Sequence, residues 1–237
     1  MPDGSPKAAG LLEAVLAFLV GSVLSSIGVA VAGSATGYKS GSGAPMPLAV
    51  TVFGLLGLWI GLVAGVVFYS RLWGSGSLRT DVGLDFRWPD LLIGAVAGIG
   101  TQLVLIPLLY LPFEHADRTL KHRLSGPANT ETGAVHGAWQ IAVLLLFIAI
   151  GAPIVEELFF RGLILRSLTR WLGPVVGIVG SAVIFGLAHF EALQLAGLIL
   201  FGLVLAALAY KTRRLGPGMA AHCAFNAVTV VSLTIIH

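Results

Sequence analysis

Two adjacent carboxylates lie inside a strongly apolar stretch of the sequence. Glu156 and Glu157 stand within the run Ile-Val-Glu-Glu-Leu-Phe-Phe-Arg, which ends at Arg161. A Glu that precedes an Arg by four helical residues is in the favourable order for an ion pair, so Glu157 and Arg161 are predicted to pair. Glu156 lies about 100° around the same helix and is left to act as a general base or acid. A purely structural Glu–Arg clamp is the alternative interpretation.

Two further apolar stretches each carry a polar pair at a spacing of four. Phe185 and His189 form the first pair, and His222 and Asn226 form the second, so each pair is predicted to share one face of a helix. An isolated His in an apolar helix is usually structural. Ionisable groups inside a membrane cost a few kcal/mol each, so two His residues accompanied by two Glu residues predict a functional site.

Glycine–proline turns place these groups at compatible depths. The turn Gly173-Pro174 separates the helix of Glu156 from the helix of His189, and the two residues are nearly equidistant from it. They would therefore lie level in an antiparallel hairpin. The second polar pair follows the turn 216–218 by one to two helical turns, which carries it about 6 to 12 Å into the membrane from the same side. The spacing therefore permits three helices to converge on one site.

The composition predicts a membrane protein. Of the 237 residues, 57% are apolar and only 11% are charged, with a mean hydropathy of +0.94, and several apolar runs exceed the roughly 18 residues that mark a spanning helix. We predict an all-α fold, a polytopic membrane helix bundle with about seven transmembrane helices. The predicted ranges are 11–33, 48–71, 91–112, 138–169, 173–190, 193–211 and 217–236.

The motifs divide the chain unequally. Residues 1–137 contain the first three predicted helices with their loops and no recognised motif, whereas residues 138–237 contain the last four helices and every polar pair described above. The second part is the predicted catalytic core. Both parts are expected to form one integral membrane domain.

The basic residues predict the orientation. Threading seven helices alternately places nine Lys and Arg residues on one side and four on the other, which favours the first side as cytoplasmic. The nine are Lys7, Arg71, Arg79, Arg87, Arg166, Arg170, Lys211, Arg213 and Arg214, and the four are Lys39, Arg118, Lys121 and Arg123. The N-terminus is therefore expected in the cytoplasm, with the site open to the same side. The lack of long loops favours a bacterial plasma membrane.

Several other interpretations of the sequence are weaker. The first apolar run ends in Ala30-Val31-Ala32, like a signal-peptide cleavage site, but it is too long for a signal core and is predicted to be a retained helix. The net charge of +3 does not indicate nucleic-acid binding, because no basic patch is interleaved with aromatic residues. Cys223 is the only cysteine, which excludes an intramolecular disulfide and a CxxC metal site.

The three motifs, in this order and each on its own apolar helix, resemble those of the CPBP family of CAAX-type prenyl endopeptidases and bacteriocin-processing enzymes, also called the Abi family. The resemblance covers about residues 138 to 230, and it implies an intramembrane endopeptidase. Its substrate would be a membrane-associated or lipid-modified peptide or protein, or a leader-type peptide, and membrane lipids would be its other partners. The residues that carry the resemblance are Glu156, Glu157, Arg161, Phe185, His189, His222 and Asn226.

The resemblance also implies a role for each polar side chain. Glu156 would activate a water molecule that attacks a peptide carbonyl, and His189 would hold or polarise that water. His222 and Asn226 would stabilise the oxyanion, and such donors are typically worth about 3 to 4 kcal/mol each. The predicted Glu–Arg pair would support these groups.

Two interpretations of the cofactor stay open. Glu156, His189 and His222 match the three protein ligands of a catalytic zinc. The HExxH spacing is absent, however, and the ligands would come from three separate helices, so a metal-free glutamate peptidase is slightly favoured.

Two functions of other classes compete with a peptidase. A non-enzymatic membrane immunity or scaffolding protein could keep the polar cluster for helix specificity or partner binding. A transporter could use the Glu and His residues as a proton or ion path. The first three predicted helices supply no charged residue near the bilayer centre, and the two halves show no similarity, which counts against the transporter.

Overall fold

The structure is a computed structural model that describes residues 10–41, 44–120, 123–124, 126 and 137–234, and within these ranges its regular elements are helices. Lys7 and Lys121, which contributed to the predicted orientation, lie outside the described residues, as do the last two residues of the predicted helix 217–236. The helices are α1 (Leu11–Thr36), α2 (Leu48–Trp73), α3 (Leu78–Asp81), α4 (Trp88–His115), α5 (Ala138–Leu172), α6 (Pro174–Leu187), α7 (Leu195–Thr212) and α8 (Gly216–Thr234).

The all-helical membrane fold is confirmed, but the predicted number of about seven spanning helices is not. Among the described residues, five helices are long and apolar enough to cross a bilayer, namely α1, α2, α4, α5 and α7. With 14 residues, α6 is about 21 Å long, short of the roughly 30 Å hydrocarbon core. The sequence interpretation extended this helix to residue 190, three residues beyond its observed end.

Glycine residues bring α1 and α2 into direct backbone contact. A Cβ atom at Gly57 would lie 2.5 Å from the backbone carbonyl carbon of Leu24, and one at Gly21 would lie 2.7 Å from the carbonyl oxygen of Leu58. Only glycine permits this distance, and such small-residue contacts stabilise helix pairs in lipid, where the hydrophobic effect between helices is absent. The pair packs mainly through the complementary shapes of the two helices, and one hydrogen bond, from Trp73 Nε1 to Glu13 Oε1, also joins them.

The long helix α5 runs through the centre of the bundle. It contains two π-helical segments, Leu145–Gly151 and Glu157–Leu165, and all nine residues of the second segment are buried. A helix that is buried on every side must be surrounded by other elements. Short π-helical segments often occur at functional sites because they reorient side chains within a helix.

Loops from distant parts of the chain meet at one end of the bundle, which we call the basic end. It is defined by Arg79, Arg166, Arg170, Arg213 and Arg214. The backbone amide of Leu215 donates to the carbonyl of Gly83 at 2.8 Å, and the amide of Gly216 donates to the carbonyl of Asp85 at 3.1 Å. The short helix α3, which the sequence interpretation missed, lies in the same region. These arginines belong to the side predicted to be cytoplasmic.

Candidate active site

The predicted Glu157–Arg161 pair is present and completely buried. Arg161 Nη1 donates to Glu157 Oε1 at 2.9 Å, and neither side chain has any exposed surface. Arg161 Nη2 donates to the backbone carbonyl of Gly202 on α7 at 3.2 Å, which ties α5 to α7. A buried charge is tolerated only when it is paired and hydrogen-bonded, so this arrangement fixes both side chains.

His222 lies between the two adjacent carboxylates. Its Nδ1 is 3.1 Å from Glu157 Oε1, and its Nε2 is 3.8 Å from Glu156 Oε2. The first distance is a hydrogen bond, whereas the second is too long for one. The residue that the sequence places on the last helix therefore meets both acidic residues of α5, and one imidazole ring links them.

Glu156 differs from its neighbour in exposure and in bonding. Its side chain is 19% exposed, whereas that of Glu157 is fully buried. The Oε2 atoms of both carboxylates are buried and accept no hydrogen bond from the described part of the chain. Oε1 of Glu157 bonds to Arg161 and His222, whereas none of the hydrogen bonds of the described residues involves the Glu156 side chain. Glu156 is therefore the more exposed and less constrained of the two carboxylates.

Phe185 on α6 is the apolar centre of the site. Its ring lies 4.3 Å from Arg161 Cζ, 4.8 Å from the His189 ring centre and 5.6 Å from the His222 ring centre. A guanidinium within about 6 Å of an aromatic face gains a cation–π attraction. Phe185 therefore packs against three polar side chains and helps to position them. The sequence motif alone indicated only that Phe185 shares a helical face with His189.

The structure places His189 at the edge of this cluster. It lies in the turn after α6, because that helix ends at Leu187. The prediction that His189 and Phe185 share one face of a helix is therefore wrong. The ring nevertheless stays close, because Nδ1 lies 2.8 Å from the carbonyl oxygen of Phe185. Among the hydrogen bonds of the described residues, none joins His189 to either carboxylate. His189 is half-buried and approaches the site through Phe185.

Asn226 is held by the first π-helical segment of α5. Its Nδ2 donates to the carbonyl of Ile148 at 2.9 Å. A side-chain amide has two N–H donors, so this bond leaves one for another acceptor. Asn226 lies one helical turn beyond His222 on α8, which places the two residues on the same side of that helix.

The sequence interpretation missed the contacts that set the position of α8. Arg214, two residues before α8, donates to the fully buried carboxylate of Asp90 at the start of α4, with 2.5 Å between Nη2 and Oδ1. Gly94 and Gly98 on α4 approach the backbone of α8 near Ala221 so closely that a Cβ at either position would collide with it. No sequence pattern predicts the bond between Asp90 and Arg214, because the two residues lie 124 positions apart. The contact between α4 and α8 places His222 beside the carboxylates.

The structure does not group the three predicted zinc ligands Glu156, His189 and His222 around one point. Among the described residues, no group of three His, Cys, Asp or Glu side chains is arranged to hold a metal. Nδ1 of His222 is engaged with Glu157, and Nδ1 of His189 lies against the Phe185 carbonyl, so Nε2 is the nitrogen with which either ring could bind a metal. The zinc interpretation stays a prediction.

The described residues form an all-helical integral membrane protein with a buried cluster of two carboxylates and an imidazole. Residues 138–228, from α5 through most of α8, match the family model of the Type II CAAX prenyl endopeptidase Rce1-like proteins. The match confirms the resemblance found from the motifs, is consistent with a CPBP family protein and supports a CAAX-type intramembrane endopeptidase. No curated protein and no solved structure matches the chain.

Proposed function

We propose that the protein is an intramembrane endopeptidase in which Glu156 activates water to hydrolyse a peptide bond of a membrane-associated or lipid-modified substrate. The observation that carries this proposal is the division of labour between two neighbouring carboxylates. Glu157 is fully buried and its Oε1 atom bonds to Arg161 and His222, whereas the Glu156 side chain is 19% exposed and takes part in none of the hydrogen bonds of the described residues. An accessible carboxylate held by a rigid frame is suited to general-base catalysis.

The proposed reaction begins when Glu156 accepts a proton from water and the oxygen attacks the peptide carbonyl carbon. The resulting oxyanion needs donors, and we assign this role to Nε2 of His222 and to the second N–H of Asn226. Glu156 then passes its proton to the leaving amine, which breaks the carbon–nitrogen bond. Every atom and proton comes from water and substrate, so no oxidant or further reactant is required.

The Glu157–Arg161 pair orients His222 in this mechanism. Glu157 Oε1 holds Nδ1 of His222, and Nε2 is the ring nitrogen that lies toward Glu156, 3.8 Å from its Oε2 atom. Nε2 is therefore the atom of this ring that is assigned to the oxyanion. His189 is assigned the positioning of water at the rim of the site.

Residues 138–237 form the catalytic core in this proposal, and residues 1–137 supply its support. Asp90 and the glycines of α4 hold α8, and α2 packs against the buried segment of α5. The site would open toward the cytoplasm of a bacterial cell, on the side of the basic end. Membrane lipids surround the bundle, and no nucleic acid takes part.

The test is cleavage of defined peptides by the purified protein in detergent or nanodiscs. A farnesylated peptide that ends in a CAAX sequence, its unprenylated form and an unrelated apolar peptide are followed by mass spectrometry. We expect release of a C-terminal fragment by the wild type and none by Glu156→Gln. The matched control Glu114→Gln changes a carboxylate on α4, outside the site, and is expected to cleave normally.

Two results would contradict the proposal. Full cleavage by Glu156→Gln would remove the general base. If no peptide is cleaved and a Glu156→Gln variant still confers the cellular activity of the wild type, the immunity or scaffolding function would replace the peptidase. Incubation with a chelator separates the cofactor interpretations, because the metal-free mechanism predicts unchanged cleavage whereas a zinc enzyme would lose it.

A further inference from the structure

A cavity opens at the basic end of the bundle. Its volume is about 770 Å³, and it lies between the ends of α2, α5 and α7. Its charged lining residues are Asp81, Arg161, Arg166, Arg170 and Arg213. Ser75, Thr80 and Thr169 add hydroxyl groups, and Leu165 and Tyr210 contribute apolar surface. Glu156, Glu157 and His222 are not among the lining residues, so the cavity is distinct from the carboxylate–imidazole cluster.

The cavity wall carries an excess of positive charge. Four arginines line it, against one carboxylate, that of Asp81. That carboxylate is engaged by the hydroxyl of Ser70 and by the backbone amide and hydroxyl of Ser75. Arg166 donates to a neutral acceptor, the carbonyl of Arg213, at 2.9 Å. Among the described residues, neither Arg166 nor Arg213 takes part in a salt bridge.

Arg213 occupies a backbone position where glycine is usual. It ends α7 with φ of 57°, in the left-handed region. A non-glycine residue is strained there, and helices commonly place glycine at this position. The arginine therefore lowers the stability of this turn while adding a basic residue to the lining of the cavity.

Arg161 connects the cavity with the site. It lies at the inner end of the cavity, where its side chain has no exposed surface, and its Nε atom has no hydrogen-bond partner among the described residues. Its other two nitrogens bond to Glu157 and to the Gly202 carbonyl. A negative charge in the cavity would therefore act on the guanidinium that holds Glu157.

We propose that this cavity binds the phosphate headgroup of an anionic phospholipid. Guanidinium groups bind phosphate with two parallel hydrogen bonds, and basic pockets between transmembrane helices bind anionic headgroups. Exposed aromatic residues favour a lipid as the source of the phosphate. Trp171 beside the cavity is 47% exposed and Tyr210 in its wall is 41% exposed, and such residues are enriched at the level of the headgroups.

The test measures binding rather than cleavage, so it does not depend on the proposed peptidase activity. Purified protein in detergent is titrated with short-chain phosphatidylglycerol, with phosphatidylcholine of equal chain length and with inorganic phosphate, while the unfolding temperature is recorded. We expect phosphatidylglycerol to raise the unfolding temperature in a saturable way, and phosphatidylcholine to have little effect. An equal rise with inorganic phosphate would overturn the lipid assignment.

The best variant is Arg213→Gly, because glycine fits the left-handed backbone and the variant is expected to fold at least as well as the wild type. It removes one guanidinium while leaving the carbonyl that Arg166 bonds. We expect about tenfold weaker phosphatidylglycerol binding, as for the loss of one charge-assisted hydrogen bond. The control Arg79→Gln removes an exposed arginine that does not line the cavity and should bind normally. Undiminished binding by Arg213→Gly, or equal weakening by Arg79→Gln, would overturn the proposal.

Discussion

The helix pair α1–α2 and the helix group α5–α8 both bury surface in a strongly apolar chain, but they bury different groups. Between α1 and α2, glycines such as Gly57 and Gly61 let the two backbones touch. Between α5 and α8, the buried carboxylate of Glu157 bonds to Arg161 and to the imidazole of His222 instead.

The pair α1–α2 is joined by close backbone packing and by one hydrogen bond, from Trp73 Nε1 to Glu13 Oε1, and it contains no buried ion pair among the described residues. Helices of this chain therefore pack together without a charged cluster, so the cluster of α5–α8 is kept for another purpose. Chemistry is the purpose we assign to it.

Removing one partner of the buried ion pair is expected to have the largest effect on stability. Arg161→Met leaves Glu157 buried without its cation, which typically costs about 3–5 kcal/mol of the free energy of unfolding. Thermal unfolding in detergent measures this loss. The control Arg118→Met removes an exposed arginine and should change little. If both variants unfold alike, the charged cluster does not hold the core.

A second variant decides whether the loss comes from the unpaired charge. Adding Glu157→Gln to Arg161→Met removes both charges, and replacement of a buried pair by neutral groups is often close to neutral. We expect the double variant to recover part of the lost stability without recovering cleavage. A double variant less stable than Arg161→Met would argue against this account.

The glycine contact is tested by adding one methyl group. Gly57→Ala places a Cβ 2.5 Å from the Leu24 backbone, which forces the helices apart and costs about 1–3 kcal/mol. Gly100→Ala is the matched control, because no atom beyond its own helix lies within 4 Å of the added carbon. Cleavage per folded molecule should persist in both variants. A cleavage defect in folded Gly57→Ala would mean that the two regions are not separable.

The contact between α4 and α8 fixes the α5–α8 group against a helix from the first half of the chain. Asp90→Asn weakens the buried bond to Arg214, and loss of a hydrogen bond to a charged group costs about 2 kcal/mol. Because this bond positions α8, we expect cleavage to fall as well. Asp117→Asn alters the more exposed pair with Arg123 and should leave the unfolding temperature nearly unchanged, because solvent screens this pair. Normal cleavage in Asp90→Asn would show that α8 keeps its position without this bond.

The smallest stability effect is expected at Asn226. Asn226→Ala removes a single neutral hydrogen bond to Ile148, worth about 1 kcal/mol. Its proposed role in stabilising the oxyanion predicts a much larger effect on kcat, a loss of about 10²–10³-fold. Kinetics and thermal unfolding of the same preparation separate the two quantities. A variant that loses stability but keeps kcat would assign Asn226 to structure.

The spacing of residues along the chain predicted the contacts that form within one helix and the turn between two helices. The order Glu157 to Arg161 on one helix predicted their ion pair, which the structure confirms at 2.9 Å, and the turn at Gly173 is confirmed by its positive φ of 86°. The contact of Glu156 and Glu157 with His222 was harder to predict from the sequence, because it depends on how closely α8 approaches α5. A Cβ at Gly218 would lie 2.8 Å from Glu157 Oε2, so glycine at this position permits the approach.

The features of the fold that the sequence did not predict depend on tertiary contacts, which leave no periodic pattern in the sequence. The bond between Asp90 and Arg214 joins residues from opposite halves of the chain. The early end of α6 puts His189 in a turn, although the apolar sequence would continue a helix. The π-helical segments of α5 also escaped prediction, since hydrophobicity alone does not distinguish them from an α-helix.

Cleavage and unfolding temperature of Glu156→Gln and Glu157→Gln, measured side by side, test the central claim most directly. The two substitutions change neighbouring residues in the same way, so only the environment of each carboxylate differs. We predict that Glu156→Gln abolishes cleavage with an unchanged unfolding temperature, and that Glu157→Gln lowers the unfolding temperature because Arg161 loses its charged partner. Cleavage by Glu156→Gln at the wild-type rate, or equal stability losses in both variants, would contradict the assignment of chemistry to one carboxylate and structure to the other.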